Sequence, residues 1–201
     1  MKRRYLRWSL LPALLFACGM SLFATAQDPA EAAPAAETDA PVVAPAETPL
    51  LDIIQKFLDD DHWHYERIED RTALRMAFKG DNGEWTVVIR TKEDSQRAIF
   101  YSLLSETVPA DQRALAGEYL HRANFGLPIG CFELDYDDGE VRFRTSLDTE
   151  GAPLSAAQVK TYLYINVSTC DLYLGGLKRV LSGAVTPENA IREIEGDPVN
   201  P

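Results

Sequence analysis

Apolar residues recur at helical spacing in some stretches of the chain and alternate with polar residues in others. The helical spacing predicts helices over about residues 49–59, 109–124 and 155–182 and from Thr186 onward. The alternation predicts strands over residues 63–68, 72–79, 84–91, 98–104, 131–136 and 140–147. The order helix, strands, helix, hairpin, long helix predicts an α+β fold, an antiparallel sheet with helices on one face. In the long helix, Gly175-Gly176 predicts a kink or a close backbone contact.

Two turn sequences divide the strands into hairpins. Asn82-Gly83 and Asp138-Gly139 are both typical of tight hairpin turns. Turns centred on these dipeptides imply the cross-strand pairs Phe78 with Val87, Met76 with Ile89, Tyr136 with Val141, and Leu134 with Phe143.

The polar residues of these strands fall on the sheet face that points away from the predicted helices. Strand parity places there five cations and three anions: Arg75, Lys79, Arg90, Arg142 and Arg144, with Glu84, Glu133 and Asp135. We predict that the five cations bind an acidic stretch of a partner. The alternative is a solvated face on which the pairs Glu133–Arg144 and Asp135–Arg142 only set the register.

The N-terminus has the pattern of a cleavable secretion signal over residues 1–26. A basic start at 1–7 precedes an apolar run at 8–23, and Ala24-Thr25-Ala26 supplies the small residues that signal peptidase recognises. Cleavage between Ala26 and Gln27 predicts a periplasmic or secreted protein without stable membrane insertion. Cys18, preceded by Leu15-Phe16-Ala17, leaves open a lipoprotein anchored through that cysteine, and the apolar run leaves open an uncleaved anchor.

Beyond the signal, a linker over residues 27–48 is rich in Pro and Ala and is predicted to be disordered. One domain follows over residues 49–184, with a short helix and tail over 185–201. Loss of the four cations at positions 2, 3, 4 and 7 leaves 16 Lys and Arg against 31 Asp and Glu, a net charge of −15. So acidic a chain repels phosphate, and we predict no nucleic-acid partner.

Candidate chemistry is sparse. His62 and His64 lie beside three aspartates, and an extended segment would put both imidazoles on one face as metal ligands. The alternative is an acidic helix end that leads into a strand, and we assign no metal site. His121 lies within a predicted helix, and the chain has no nucleophile elbow, phosphate loop or dinucleotide motif. We therefore assign no catalytic residue and no cofactor.

Cys131 and Cys170 are the cysteines of the predicted domain. Strand parity puts Cys131 with Glu133, whereas Cys170 lies on the apolar stripe of the long helix. Two cysteines on opposite sides of the sheet are badly placed to form a disulfide, so we favour two free thiols. The alternative is one disulfide formed after export. The sequon Asn166-Val167-Ser168 falls on the same helix and is interpreted as incidental.

The element order and several motifs resemble one known family. The motifs are Gly80-Asp81-Asn82-Gly83-Glu84-Trp85, Arg122-Ala123-Asn124, the stretch from Gly130 to Phe143, and Leu154 before the long helix. Over residues 50–183 they resemble the YbjN family, described as bacterial sensory transduction regulators with the fold of type III secretion chaperones. The resemblance implies a domain that binds or modulates other proteins.

Together these observations predict an exported, non-enzymatic protein-interaction module, chaperone-like or regulatory, whose partner is another polypeptide. A metal-binding envelope protein using His62 and His64 is one alternative, and an envelope enzyme of unrecognised type is another. The sequence leaves open whether the protein is a monomer or a homodimer.

Overall fold

The structure, a computed structural model, describes residues 48–68 and 72–196. Within them a six-stranded antiparallel sheet has the strand order β1-β2-β3-β4-β6-β5. The strands are β1 Glu66–Arg67, β2 Ala73–Lys79, β3 Glu84–Lys92, β4 Arg97–Leu104, β5 Cys131–Leu134 and β6 Val141–Asp148. The helices are α1 Leu50–Asp60, α2 Arg113–Gly126, α3 Ala156–Leu181 and α4 Pro187–Glu195, with a 3-10 turn at Ala110–Gln112. The predicted fold class is confirmed.

The predicted signal, its cleavage site at Ala26 and Gln27, the lipidation candidate Cys18 and the linker up to residue 47 lie outside the described residues. In the part of the chain that is described, no helix combines the length and the apolar character needed to cross a membrane.

The core lies between one face of the sheet and the helices α1, α2 and α3. α3 packs on β4 and β6, α2 on β5, and α1 on β3. Alternate strand residues are buried there, as the period of two requires: Leu74, Met76, Trp85, Val87, Ile89, Ala98, Phe100, Val141 and Phe143. We call this side the covered face and the other side the open face.

A buried polar network holds α3 on the covered face. Asn166 is fully buried, and its amide nitrogen donates to the carbonyl oxygens of Phe100 (3.1 Å) and Phe143 (3.2 Å), on β4 and β6. Its amide oxygen accepts from the Ser102 hydroxyl at 2.7 Å, and that hydroxyl accepts from the Trp85 indole at 2.9 Å. Because a buried amide needs such partners, the network fixes the position of α3 along the strands.

Both predicted hairpin registers were wrong by two residues. Met76 lies opposite Val87, not Ile89, and Leu134 lies opposite Val141, not Phe143. A shift of two preserves the side of the sheet on which each residue lies, so the predicted face was nevertheless correct for the residues that lie within the strands.

The β2–β3 turn is centred on Asp81-Asn82, one residue earlier than predicted. The Asp171 carboxylate on α3 accepts from the backbone N–H groups of Asp81 (3.0 Å) and Asn82 (2.8 Å), and the Lys178 ammonium donates to the Asn82 carbonyl oxygen. The turn thus forms against α3, and neither central residue has a positive φ.

The β5–β6 loop has four residues instead of the predicted two. The N–H of Asp135 donates to the carbonyl oxygen of Glu140, which closes the loop over residues 136–139. Gly139 has a φ of 85°, and a Cβ there would lie 2.2 Å from the carbonyl oxygen of Val108. Glycine is therefore required where the loop contacts the chain before α2.

Gly175 and Gly176 lie in one continuous helix and allow other parts of the chain to approach its backbone closely. Of the two predicted outcomes, a kink or a close contact, the close contact is the one observed. A Cβ on Gly175 would lie 2.7 Å from Asn82 Oδ1, and one on Gly176 would lie 2.3 Å from the hydroxyl oxygen of Tyr119. The pair therefore lets the β2–β3 turn and α2 approach α3.

Candidate partner-binding face

The open face carries most of the charged strand residues. Cross-strand register places on it the cations Arg75, Lys79, Arg90, Lys92, Arg97, Arg142 and Arg144 and the anions Glu66, Glu84, Glu133 and Asp148. Among these strand residues the excess is three positive charges, and Glu140, whose carboxylate lies 3.6 Å from Arg142 Nη1, lowers it to two. The whole chain has a net charge of −11, or −15 without the predicted signal. The open face is thus a local exception to the charge of the whole molecule.

An apolar strip crosses the middle of the open face along β3 and β4. We call Val88, Ile99, Tyr101 and Leu103 the central strip; all four are half-buried. The Tyr101 ring lies under the Arg142 guanidinium, with 5.0 Å from Cζ to the ring centre. Sequence reasoning missed the strip because residues 98–104 are apolar at almost every position, a pattern that does not separate the two faces.

We call the charged residues of the open face the rim, and ion pairs hold many of its cations in place. Arg75 lies 2.7 Å from Glu66, and Lys79 lies 2.8 Å from Glu84. The guanidinium of Arg90 has no hydrogen-bond or ion-pair partner among residues 48–68 and 72–196. The rim therefore combines fixed cations with a cation that is available to a ligand.

Glu133 bridges two arginines at one end of the central strip. Its carboxylate oxygens lie 2.6 Å from Arg142 Nε and 2.7 Å from Arg144 Nε. Partial burial acts to raise the pKa of Glu133, but the hydrogen bonds and charges of Arg144 and Arg142 outweigh it, and the pKa is lowered overall. Glu133 is thus ionised at neutral pH and orders both guanidinium groups.

The outer edge of β5 is occupied. The Asn124 side chain donates to the carbonyl oxygen of Phe132 at 3.0 Å and accepts from its N–H at 2.7 Å. An amide in this position takes the backbone groups that an added strand would pair with. The face, more than this edge, is therefore the surface open to a partner.

The five cations predicted to bind a partner, Arg75, Lys79, Arg90, Arg142 and Arg144, all lie on the open face, and their binding role stays a prediction. Asp135 does not belong to this face, because β5 ends at Leu134 and the Asp135 carboxylate accepts from the N–H of Asp137. The predicted Asp135–Arg142 pair is therefore wrong, and Glu133 binds Arg142 instead.

The two histidines of the His-x-His motif do not share an extended segment. His62 has a φ of 61°, and the N–H of Trp63 donates to the carbonyl oxygen of Leu58, a helix C-terminal cap with His62 in the left-handed position. The same-face geometry expected for His62 and His64 is thus absent. Among the described residues, no group of three or more His, Cys, Asp and Glu side chains is placed to hold a metal ion.

The two cysteines lie on opposite sides of the sheet, as parity predicts. Cys131 is half-buried on the open face, 3.3 Å from Arg144 Nη2, and Cys170 is buried on α3. Both are free thiols, and burial raises the pKa of Cys170 to about 12.

The fold and the face together define a class of protein: an α+β domain whose antiparallel sheet is covered by helices on one side and presents a cationic face on the other. The sequence model of the YbjN family, described as "Putative bacterial sensory transduction regulator", matches residues 50–179. The chain therefore belongs to the YbjN family. The comparison with curated proteins found no match.

Solved structures with a similar fold include the crystal structure of YbjN from E. coli, with a TM-score of 0.51 at 14% identity over 65% of this chain and 92% of that one. At this identity the likeness shows the fold. The ExsC–ExsE complex gives a TM-score of 0.40 at 12% identity, over 63% of this chain and 95% of the other. The HopA1–SchA chaperone–effector complex gives 0.37 at 16% identity, over 66% and 89%.

Proposed function

We propose that this protein is an exported, non-enzymatic interaction module that docks an acidic stretch of another polypeptide on its open face. The observation that carries the proposal is the excess of cations around an apolar strip, on a chain that is otherwise strongly acidic. Charge complementarity of this kind guides association and selects partners. The family description as a regulator agrees with a role exerted through contact with another protein.

A polypeptide fits the open face better than a nucleic acid. The excess of two positive charges is modest, and the rest of the chain would repel a long run of phosphates. The central strip offers apolar contacts in addition, which a mixed acidic and apolar peptide segment would use. The half-buried Tyr101 ring and the Arg142 guanidinium over it belong to the residue types that dominate binding energies in protein interfaces.

Export completes the proposal. Removal of residues 1–26 places Gln27 at the N-terminus, in the periplasm or outside the cell. The mass of the intact mature protein tests this step, since a lipid-modified Cys18 would replace it with a membrane-anchored lipoprotein.

Charge reversal on the open face tests the docking. The probe is a fluorescent peptide of about ten residues, glutamates around a central leucine, followed by anisotropy at low salt. We expect the variant Arg75→Glu/Lys79→Glu/Arg90→Glu to bind it about tenfold or more weakly than the wild type. Added salt should weaken the wild-type interaction, because the rim charges are exposed.

The matched control reverses three exposed cations on the helix side of the molecule, Lys56→Glu/Arg122→Glu/Lys160→Glu. It changes the net charge by the same amount and should leave probe binding near the wild-type level. Equal losses of affinity in both variants would mean that the probe responds only to the net charge of the protein, and would overturn the proposal. Preference for a single-stranded oligonucleotide over the acidic probe would do the same.

A further inference from the structure

The C-terminal helix α4 occupies a groove between α2 and α3, on the helix side of the sheet and not on the open face. The groove is formed by the end of α2 at Gly126 and by Tyr173, Gly176 and Arg179 on α3; we call it the α2–α3 groove. α4 packs against both helices. It lies beyond residues 50–179, the part of the chain that matches the family. α4 thus lies outside the matched part of the chain and covers a surface of that part.

The contacts show which features of a helix the groove accepts. Gly176 leaves the room that Ile194 uses, since a Cβ at Gly176 would lie 3.0 Å from Ile194 Cδ1. The Tyr173 hydroxyl donates to Glu195 Oε1 at 2.6 Å, and Arg179 pairs with Glu193. The groove therefore takes an apolar side chain together with flanking carboxylates.

The helix itself presents a narrow apolar stripe. Ala190 is buried, Ile191 and Ile194 are half-buried, and the opposite side is polar. The stripe consists of the small residue Ala190, then Ile191 and Ile194, and the acidic Glu195 directly follows Ile194.

α4 has fewer buried residues than α1, α2 or α3. It has nine residues, whereas helices shorter than about 12–15 residues are marginal without packing. In it, only Pro187 and Ala190 are buried. The Arg179–Glu193 pair is half exposed, and exposed pairs contribute little. We therefore expect the release of α4 to be a local opening that costs less free energy than unfolding of the whole domain.

We infer that the α2–α3 groove is a helix-binding site, which α4 fills in cis and which a short acidic amphipathic helix of a partner polypeptide fills when α4 is released. The partner helix carries the stripe of α4, a small residue and two isoleucine-like residues, with carboxylates facing Tyr173 and Arg179. The short connection at residues 182–186 keeps α4 near the groove at an effective concentration on the order of millimolar, so α4 competes with the partner and sets the threshold for binding.

Native-state hydrogen exchange on the full chain tests the release step. Amides of α4 at residues 190–195 should exchange about 100-fold or more faster than amides of α3 at residues 163–177, because they exchange through local opening. Exchange of both helices at one common rate would mean that α4 opens only when the domain unfolds, and it would overturn the inference.

Competition with a peptide tests the groove. The probe is a fluorescent peptide of residues 185–196, and the full-length variant Ile191→Asp/Ile194→Asp has its own α4 disabled. The variant should bind the probe about tenfold or more tightly than the wild type does. A probe carrying the same two substitutions should bind neither protein. Failure of the wild-type probe to bind the variant, in protein that still shows a cooperative urea transition, would contradict the inference.

The matched control Ala184→Asp/Asn189→Asp adds two carboxylates at exposed positions beside and on α4. It should bind the probe as weakly as the wild type does. The open-face variant Arg75→Glu/Lys79→Glu/Arg90→Glu should also leave this binding unchanged, which separates failure of the groove from failure of the open face.

Discussion

The two faces of the sheet are built from alternate residues of the same strands, yet they differ in what they can do. The covered face is apolar and carries a closed polar network around Asn166. The open face has a charged rim around a half-buried strip, and the guanidinium of Arg90 has no hydrogen-bond or ion-pair partner among the described residues. The buried contacts that stabilise the fold therefore lie on one side of each strand, and the other side remains accessible.

The thiols should show the largest contrast between the faces. In protein that begins at residue 27, Cys131 should react with a maleimide in the native state, and Cys170 should react slower by a factor on the order of 1000 or more, because its labelling needs an opening of the core. Burial also raises the pKa of Cys170 to about 12, which disfavours the reactive thiolate.

Mass spectrometry over a labelling time course measures both rates. The variant Cys131→Ser should retain only the slow reaction. Equal native rates would contradict the assignment of the two cysteines to different faces, and no reaction even after unfolding without reductant would reveal a disulfide.

Asn166→Ala should cause the next largest effect. It leaves the Ser102 hydroxyl without its acceptor and opens a small cavity under α3, so we expect a loss of about 3 kcal/mol in the free energy of unfolding. Urea denaturation measures this loss. Ser168→Ala, on the exposed side of the same helix, should change it by less than about 0.5 kcal/mol. A loss below about 1 kcal/mol for Asn166→Ala would show that the network does not hold α3 in place.

Glu133→Gln should have a smaller and pH-dependent effect on the open face. The pKa of Glu133 is lowered in the folded protein, so the ionised carboxylate stabilises the fold at pH values above the unfolded pKa of about 4.3. That contribution is lost as the pH falls through the folded pKa. The variant should be less stable at pH 7 by at most about 1 kcal/mol, since the site is partly exposed.

Urea denaturation at pH 7 and at about pH 3 measures the difference, which should shrink at the lower pH. Glu106→Gln, at an exposed glutamate without a partner in the described residues, should show no difference at either pH. A constant difference for Glu133→Gln would mean that its ion pairs with Arg142 and Arg144 contribute no stability.

The sequence predicts the faces well because strand alternation reports side-chain direction. Arg75, Arg142 and Cys131 were placed correctly from parity alone. The registers failed because parity is unchanged by a shift of two, so no pattern could reveal the error. The turn at Asp81-Asn82 depends on Asp171, 90 residues away from Asp81, and Gly139 is set by its contact with Val108. Such contacts are not visible in the local sequence.

The candidate site was predictable in its charges but not in its centre. The alternation of charged residues in β2, β3 and β6 identified five of the seven cations. It missed Lys92 and Arg97, because the predicted strands stopped one residue short of each. Tyr101 lies in an apolar stretch and looked like core. It is only half-buried because no helix covers that side of β4. The burial of Tyr101 is thus set by the position of the helices, which only the tertiary fold reveals.

Site-specific photocrosslinking in living bacteria is the most direct test of docking on the open face. A photoreactive phenylalanine replaces Tyr101 in the central strip or, as the matched control, Tyr164 on the exposed side of α3. We expect a polypeptide adduct at position 101 whose crosslinked peptide is acidic. The adduct should be absent at position 164 and should be lost when Arg75, Lys79 and Arg90 are reversed. Absence of a polypeptide adduct at position 101, or equal adducts at both positions, would contradict docking on the open face.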